Sequence, residues 1–218
     1  MWISKKSEAK NKKLLKMSSE QFDKYMCKTY PNLFKERNLP MNQTCMCWGF
    51  DIGKGWYLVL DRLCQKLSAM EKITDIGTIF RQIKEKYGGA RFYHGADSSK
   101  TKLNKEEIEI CDEILDDLVS HAEHDADYIC AECGGSRDKM ISIGRWVYDV
   151  CDKCFPKVFP NRKEAFEGWK KRSEVEDNMQ DAIYYSTDDE IKEIGALANK
   201  VMKRAKKEQE EPQKKYAK

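Results

Sequence analysis

Four cysteines in two CxxC pairs, Cys130 with Cys133 and Cys151 with Cys154, are the residues of this chain whose types and spacing imply chemistry. Each CxxC turn lets two thiolates converge on one ion, and residues 134–150 are enough for a hairpin that brings the pairs together. Gly134 and Gly135 relax the backbone behind the first pair, so that its amides turn towards the sulfurs. The expected cofactor is Zn2+ in a tetrahedral, all-sulfur site. Such a site is structural, because four thiolates leave no open position for water or substrate and quench the ion's Lewis acidity. Nine cysteines, an odd number with four in CxxC units, fit metal ligation in a reducing compartment better than a disulfide framework. The expected location is therefore the cytoplasm.

Other side chains are candidates for binding. Arg137, Lys139 and Arg145 lie between the ligand pairs with Trp146 and Tyr148. They describe either a basic hairpin that rests on phosphates and stacks on bases, or a soluble hairpin tip whose tryptophan covers a small core. Lys84, Lys86 and Arg91 gather around "KEKYGGARFY". They make either an anion site or a helix stop in which Arg91 pairs with Asp51 or Glu85. Nothing in the sequence places Asp51 within reach of Glu85, so no catalytic residue is assigned. His121 and His124 share a helix face at a spacing that chance often produces, and Cys45 and Cys47 read as core thiols.

Charge is unevenly spread although the net value is only +3. Residues 1–17 carry Lys5, Lys6, Lys10, Lys12, Lys13 and Lys16 against Glu8, a basic arm that keeps the terminus solvated or neutralises phosphates. Residues 104–127 are strongly acidic and repel nucleic acid. No run of about twenty apolar residues is present, so no membrane partner is expected.

The elements that position these residues follow from periodicity. After a short helix in "FDKYMC", Trp56, Leu60, Leu63 and Leu67 recur at helical spacing, with "DIGKG" as a flexible lead-in. Ile76, Ile79, Phe80, Ile83 and Tyr87 repeat the pattern as a second helix, stopped by Gly88 and Gly89, and "ARFYHG" reads as a strand. Asn104 and Glu107 form a capping box for a helix buried through Ile108, Cys111, Leu115, Leu118 and Ala122. "RWVYDV" alternates as a strand. Asn161 and Glu164 cap a helix over "AFEGWKKR", a loop follows at "DAIYYS", and a last amphipathic helix starts at Thr187 with Glu190, its seam running from Ile191 to Ala205. The expected fold is α+β: a mainly helical body with a short sheet, and a four-cysteine lobe of zinc-ribbon or treble-clef type. Its expected organisation is a basic arm (1–17), a helical α+β core (18–127), the zinc lobe with a following helix (128–176), and an amphipathic helix with a charged tail (177–218).

Two phrases carry a resemblance over residues 30–155. "GFDIGKGW", with Gly49, Phe50, Asp51, Gly53, Gly55 and Trp56, and "KEKYGGARFY", followed by the four cysteines, resemble a family of largely uncharacterised bacteriophage and prophage proteins with a zinc finger. The resemblance implies a phage-infected or prophage-bearing cell as the setting and brings no assigned activity; with the closed zinc site and no catalytic constellation, the expected role is a non-catalytic binding protein acting in the cytoplasm on nucleic acid or a host protein. The cysteine spacing is also similar to the finger of DksA/TraR-type regulators, which implies a transcription-modulating partner. An enzyme acting on nucleotides or nucleic acid is the further alternative.

Overall fold

The structure, a computed structural model, describes residues 5–185. Its elements run in the order α1 (Lys5–Leu14), α2 (Ser19–Thr29), β1 (Phe50–Asp51), α3 (Tyr57–Thr74), β2 (Gly77–Lys86), β3 (Gly89–Asp97), α4 (Lys105–Asp127), β4 (Ile141–Ile143), β5 (Trp146–Tyr148), α5 (Phe155–Val158) and α6 (Lys163–Tyr185). This is the α+β class, with a four-cysteine lobe after α4. The chain divides into two compact units, Met1–Phe166 and Glu167–Lys218. Within the second unit the described residues are the continuation of α6, and the helix expected from Thr187 onward lies outside them.

Helix α3 is the centre of the first unit. Trp56, Leu60, Leu63, Cys64 and Leu67 are all buried, as their helical spacing requires. Against them pack Phe22 and Met26 from α2, Phe80 and Phe92 from the sheet, and Cys111, Leu115 and Ala122 from α4. Phe22 stacks on Tyr57 with ring centroids 3.6 Å apart. Helix α4 starts with the expected capping box: Asn104 accepts from the Glu107 amide at 3.0 Å, and the Glu107 carboxylate accepts from the Asn104 amide at 2.8 Å.

Four expectations are corrected. Residues 76–87 form strand β2, not a helix. Its register with β3 shifts between Phe80 and Gln82, so Arg81 bulges out and the inward face changes parity. Phe80 and Ile83, three residues apart, are therefore both buried, which imitates helical spacing. The step from β2 to β3 is a two-residue hairpin, with Tyr87 and Gly88 at φ 55° and 76°, the left-handed pair such tight turns need. In the sheet β2 is central, parallel to β1 and antiparallel to β3.

Residues 5–14 are likewise not a loose arm. Leu14 is buried in the core, and Lys10 makes an ion pair with Asp61 of α3, whose side chain is wholly buried. Asp61 also accepts from Tyr25 Oη at 2.8 Å, Tyr30 Oη at 3.1 Å and Gln65 Nε2 at 2.6 Å, so this charge is paired and fully hydrogen-bonded. Finally, Asn161 sits within a 3-10 turn (Pro160–Arg162) instead of capping a helix, and α6 runs on through "DAIYY" without the expected loop.

Candidate metal centre and the surfaces around it

The four cysteines come together as their spacing predicts. Their sulfurs all lie within 4.8 Å of one another, with Cys133 Sγ and Cys151 Sγ 3.9 Å apart, and none of the nine cysteines is in a disulfide. Tetrahedral ligation at about 2.3 Å sets sulfurs about 3.8 Å apart, so the cluster fits a single ion. Three of the thiols are buried and Cys133 is exposed. Among the described residues this is the one grouping of metal-ligating side chains. His121 instead lies exposed beside the Asp117 carbonyl, and His124 packs on the Tyr128 ring.

The first pair sits in a knuckle whose backbone is closed by Cys130 N–H to Gly135 O and Gly134 N–H to Cys130 O, each 2.9 Å. Gly134 takes a φ of 67°, a conformation open to glycine. The hairpin β4–β5 follows, and the second pair stands at the start of α5. Knuckle, hairpin and helix start follow one another in that order. Cys130 accepts from the Cys151 amide at 3.2 Å. Burial pushes the Cys130 thiol up, but the amides of Cys133, Cys151 and Glu132 outweigh it and hold the thiol below its ordinary value. Burial and the neighbouring Cys151 and Cys133 thiols push Cys154 well up. Under the lobe Phe155 stacks on Phe166 at 4.6 Å and meets Tyr148 edge-on at 4.8 Å.

A buried arginine and a glycine-rich loop tie the lobe to the body. Arg137 is not the expected surface contact: it is only 2 % exposed. Its guanidinium donates to the Asp127 carbonyl at 3.0 and 2.6 Å, to Gly88 O at 3.0 Å and to Tyr148 O at 3.1 Å. It therefore joins the end of α4, the tip of the β2–β3 hairpin and β5. Burial pulls its pKa down, while Asp127 and Asp149 oppose that shift. "DIGKG" is a close-packed seat, not a flexible lead-in. A β-carbon on Gly55 would fall 2.0 Å from Cys130 O, and one on Gly53 2.3 Å from Ala131 O. Trp56 completes the seat, donating from Nε1 to Ile129 O at 2.8 Å and Ala126 O at 3.1 Å.

The other candidate residues separate into two surfaces. Lys84 and Arg91 are register partners, as are Gln82 and Tyr93, and Lys86 faces Gly89. Residues two apart on a strand and those opposite on its neighbour share a face, so Lys84, Lys86, Arg91 and Tyr93 stand together, turned away from buried Ile83, Ala90 and Phe92. Lys84 Nζ lies 5.1 Å from the Tyr93 ring centre and Lys86 Nζ 5.3 Å from that of Tyr87. Both rings are exposed, Tyr93 by 42 % and Tyr87 by 75 %. Arg91 pairs with neither Asp51 nor Glu85: among the described residues the carboxylate it meets is Glu123 of α4, 4.0 Å away, and Glu85 accepts from the Gly88 amide at 2.6 Å.

Lys139, Arg145 and Trp146 are exposed on the lobe. Trp146 and Tyr148 line a cleft of 510 Å³ whose other walls include Asp51, Glu85 and Asp149. Burial first, and then the charges of Glu85 and Glu132, raise the Asp149 pKa. Cys45 and Cys47 are not core thiols: they flank buried Met46 in a 3-10 turn, Cys45 exposed and Cys47 half-buried. No helix among the described residues is long and apolar enough to cross a membrane.

A scan against protein-family profiles, a search of curated proteins and a search of solved structures find nothing that matches the chain.

Proposed function

We propose that this chain is a non-catalytic zinc protein that binds single-stranded nucleic acid along its β2–β3 hairpin. The ion is Zn2+, held by Cys130, Cys133, Cys151 and Cys154, and its work is to brace the lobe. Four thiolates saturate its coordination, so it offers no position for a substrate. The observation that supports the binding role is the strip of Lys84, Lys86, Arg91 and Tyr93 on one sheet face, with the exposed Tyr87 ring in the turn beside Lys86. Cations there neutralise phosphates and the rings supply stacking surfaces that tolerate any base. On the β3 side, Glu123 accepts from the Phe92 amide at 2.6 Å and Asp116 lies 3.0 Å from His94 Nε2. The acids of α4 thus border the strip and repel a strand that strays from it. By the same reasoning Trp146, beside an acidic cleft, takes no part.

Fluorescence anisotropy of a labelled oligonucleotide at rising salt tests this reading. Three phosphate contacts give a log–log slope of about −2 for a single strand. Affinity independent of salt, or equal for an uncharged peptide-nucleic-acid strand, would sink it.

A host-protein partner is the second reading, supported by Ile110 and Ile114, exposed one turn apart on the acid-rich face of α4. Capture from lysate that survives nuclease treatment and is lost in Ile110→Asp with Ile114→Asp would select it. The phage-like phrases would set either role in an infected cell.

A further inference from the structure

We propose that the cavity between α1, α3, α4 and the first cysteine knuckle binds a small amphipathic anion: an apolar body with one negatively charged head and an N–H or O–H donor. The cavity measures 370 Å³, within the roughly 300–1,000 Å³ range of small-ligand sites. Its lining is built for two kinds of group at once. Leu58, Ala122 and Ile129 provide apolar surface. Arg62 and Lys66, one turn apart on α3, provide two cations, and neither makes an ion pair among the described residues.

The acceptors come from the other helices. Asn11 of α1 lines the cavity, and its side-chain oxygen is buried with no hydrogen-bond partner. A buried acceptor left unmade is unfavourable, and a donor on a ligand would satisfy it. Asp125 of α4 adds a carboxylate that likewise has no ion pair among the described residues. Two cations against one acid leave a single net positive charge, which suits a monoanionic head held by charge-assisted hydrogen bonds. A carboxylate or a phosphodiester carries that chemistry. This site is separate from the hairpin strip and does not depend on nucleic-acid binding.

The probe is 8-anilinonaphthalene-1-sulfonate, which has a sulfonate, a fused apolar ring system and an N–H. Titrated into the zinc-loaded full chain, it should bind at one equivalent with blue-shifted emission. Arg62→Glu with Lys66→Glu should weaken binding at least about tenfold, and Ala122→Phe, which fills the cavity, should abolish it. Arg62 and Lys66 are half-buried and exposed, so the charge variant tests the idea even if the cavity-filling variant does not fold. Displacement by adenosine 3′,5′-cyclic monophosphate alone assigns a phosphodiester head, and displacement by indole-3-acetate alone assigns a carboxylate. Displacement by both assigns a site that reads charge and apolar body only. Equal affinity in wild type and charge variant, or displacement by neither competitor, overturns the proposal.

Discussion

The amide of Gly55 donates to the carbonyl of Ala131 at 2.6 Å, joining the loop before α3 to the first cysteine knuckle by backbone alone. The contact needs both chains to approach without side chains between them, and the missing β-carbons of Gly53 and Gly55 provide that space.

Gly55→Ala should therefore destabilise the zinc-loaded protein by about 3 kcal/mol, since the obstacle is backbone that cannot rotate away. Chemical denaturation measures it, and zinc transfer to a competing chelator should speed up in parallel. Unchanged stability would mean the seat is looser than described.

Arg137→Met should cost about 3 kcal/mol, because three carbonyls lose charged donors in a buried site. Arg137→Lys should recover only part of this, an ammonium being unable to span the fork. Thermal unfolding of the three proteins gives the order wild type, lysine, methionine. A lysine variant as stable as wild type would show that charge alone suffices.

Purified under reducing conditions, the protein should hold one zinc ion per chain, and a cobalt-substituted sample should show the absorption of a tetrahedral all-sulfur site. Chelation should broaden amide signals across residues 128–155 while α3 stays protected from exchange. Affinity should fall as pH falls, because protons compete for the thiolates. A bound water on cobalt would point to an open position and to chemistry at the ion.

On the hairpin, Lys84→Ala and Arg91→Ala should each reduce oligonucleotide affinity and flatten the salt dependence by about 0.7 in slope. Tyr93→Ala should weaken binding by about 1–3 kcal/mol with the slope unchanged, since stacking releases no counterions. Trp146→Ala should leave binding as it is. Anisotropy titrations separate the three cases.

Alkaline pH should unfold the protein through Tyr25 and Tyr30. Burial, then the hydrogen bonds and charge of Asp61, raise both phenols above their ordinary value. An unfolded phenol ionises near pH 10. Because the folded values are higher, the stabilisation is complete below about pH 10 and is lost as pH rises further. Tyr25→Phe and Tyr30→Phe should each make the alkaline limb shallower in denaturation midpoints measured from pH 8 to 11.

Much of this architecture is legible in the sequence where one local rule acts alone. The stripe of α3, the Asn104–Glu107 box and the two CxxC pairs each depend on residues close in the chain. Residues 76–87 misled because a bulge is set by the partner strand, which periodicity does not see. Arg137 misled for a related reason: nothing nearby announces that Asp127, Gly88 and Tyr148 will turn their carbonyls towards it. Gly53 and Gly55 carried a signal, two glycines before a tryptophan, but its meaning lay across the fold in the knuckle. Lys10 reads as solubilising charge because its buried partner, Asp61, lies on α3, far along the chain.

Arg81 is the spare residue of the hairpin, because Phe80 and Ile83 point inward on either side of it. Losing that one codon would leave the two residues two apart, the spacing at which an unbulged strand turns both side chains to the same face. Lys84 and Lys86 would keep their outward face, and Ile83 the inward one. A single in-frame deletion would thus straighten the strand and cost the Arg81–Glu36 ion pair while leaving the cationic surface where it is.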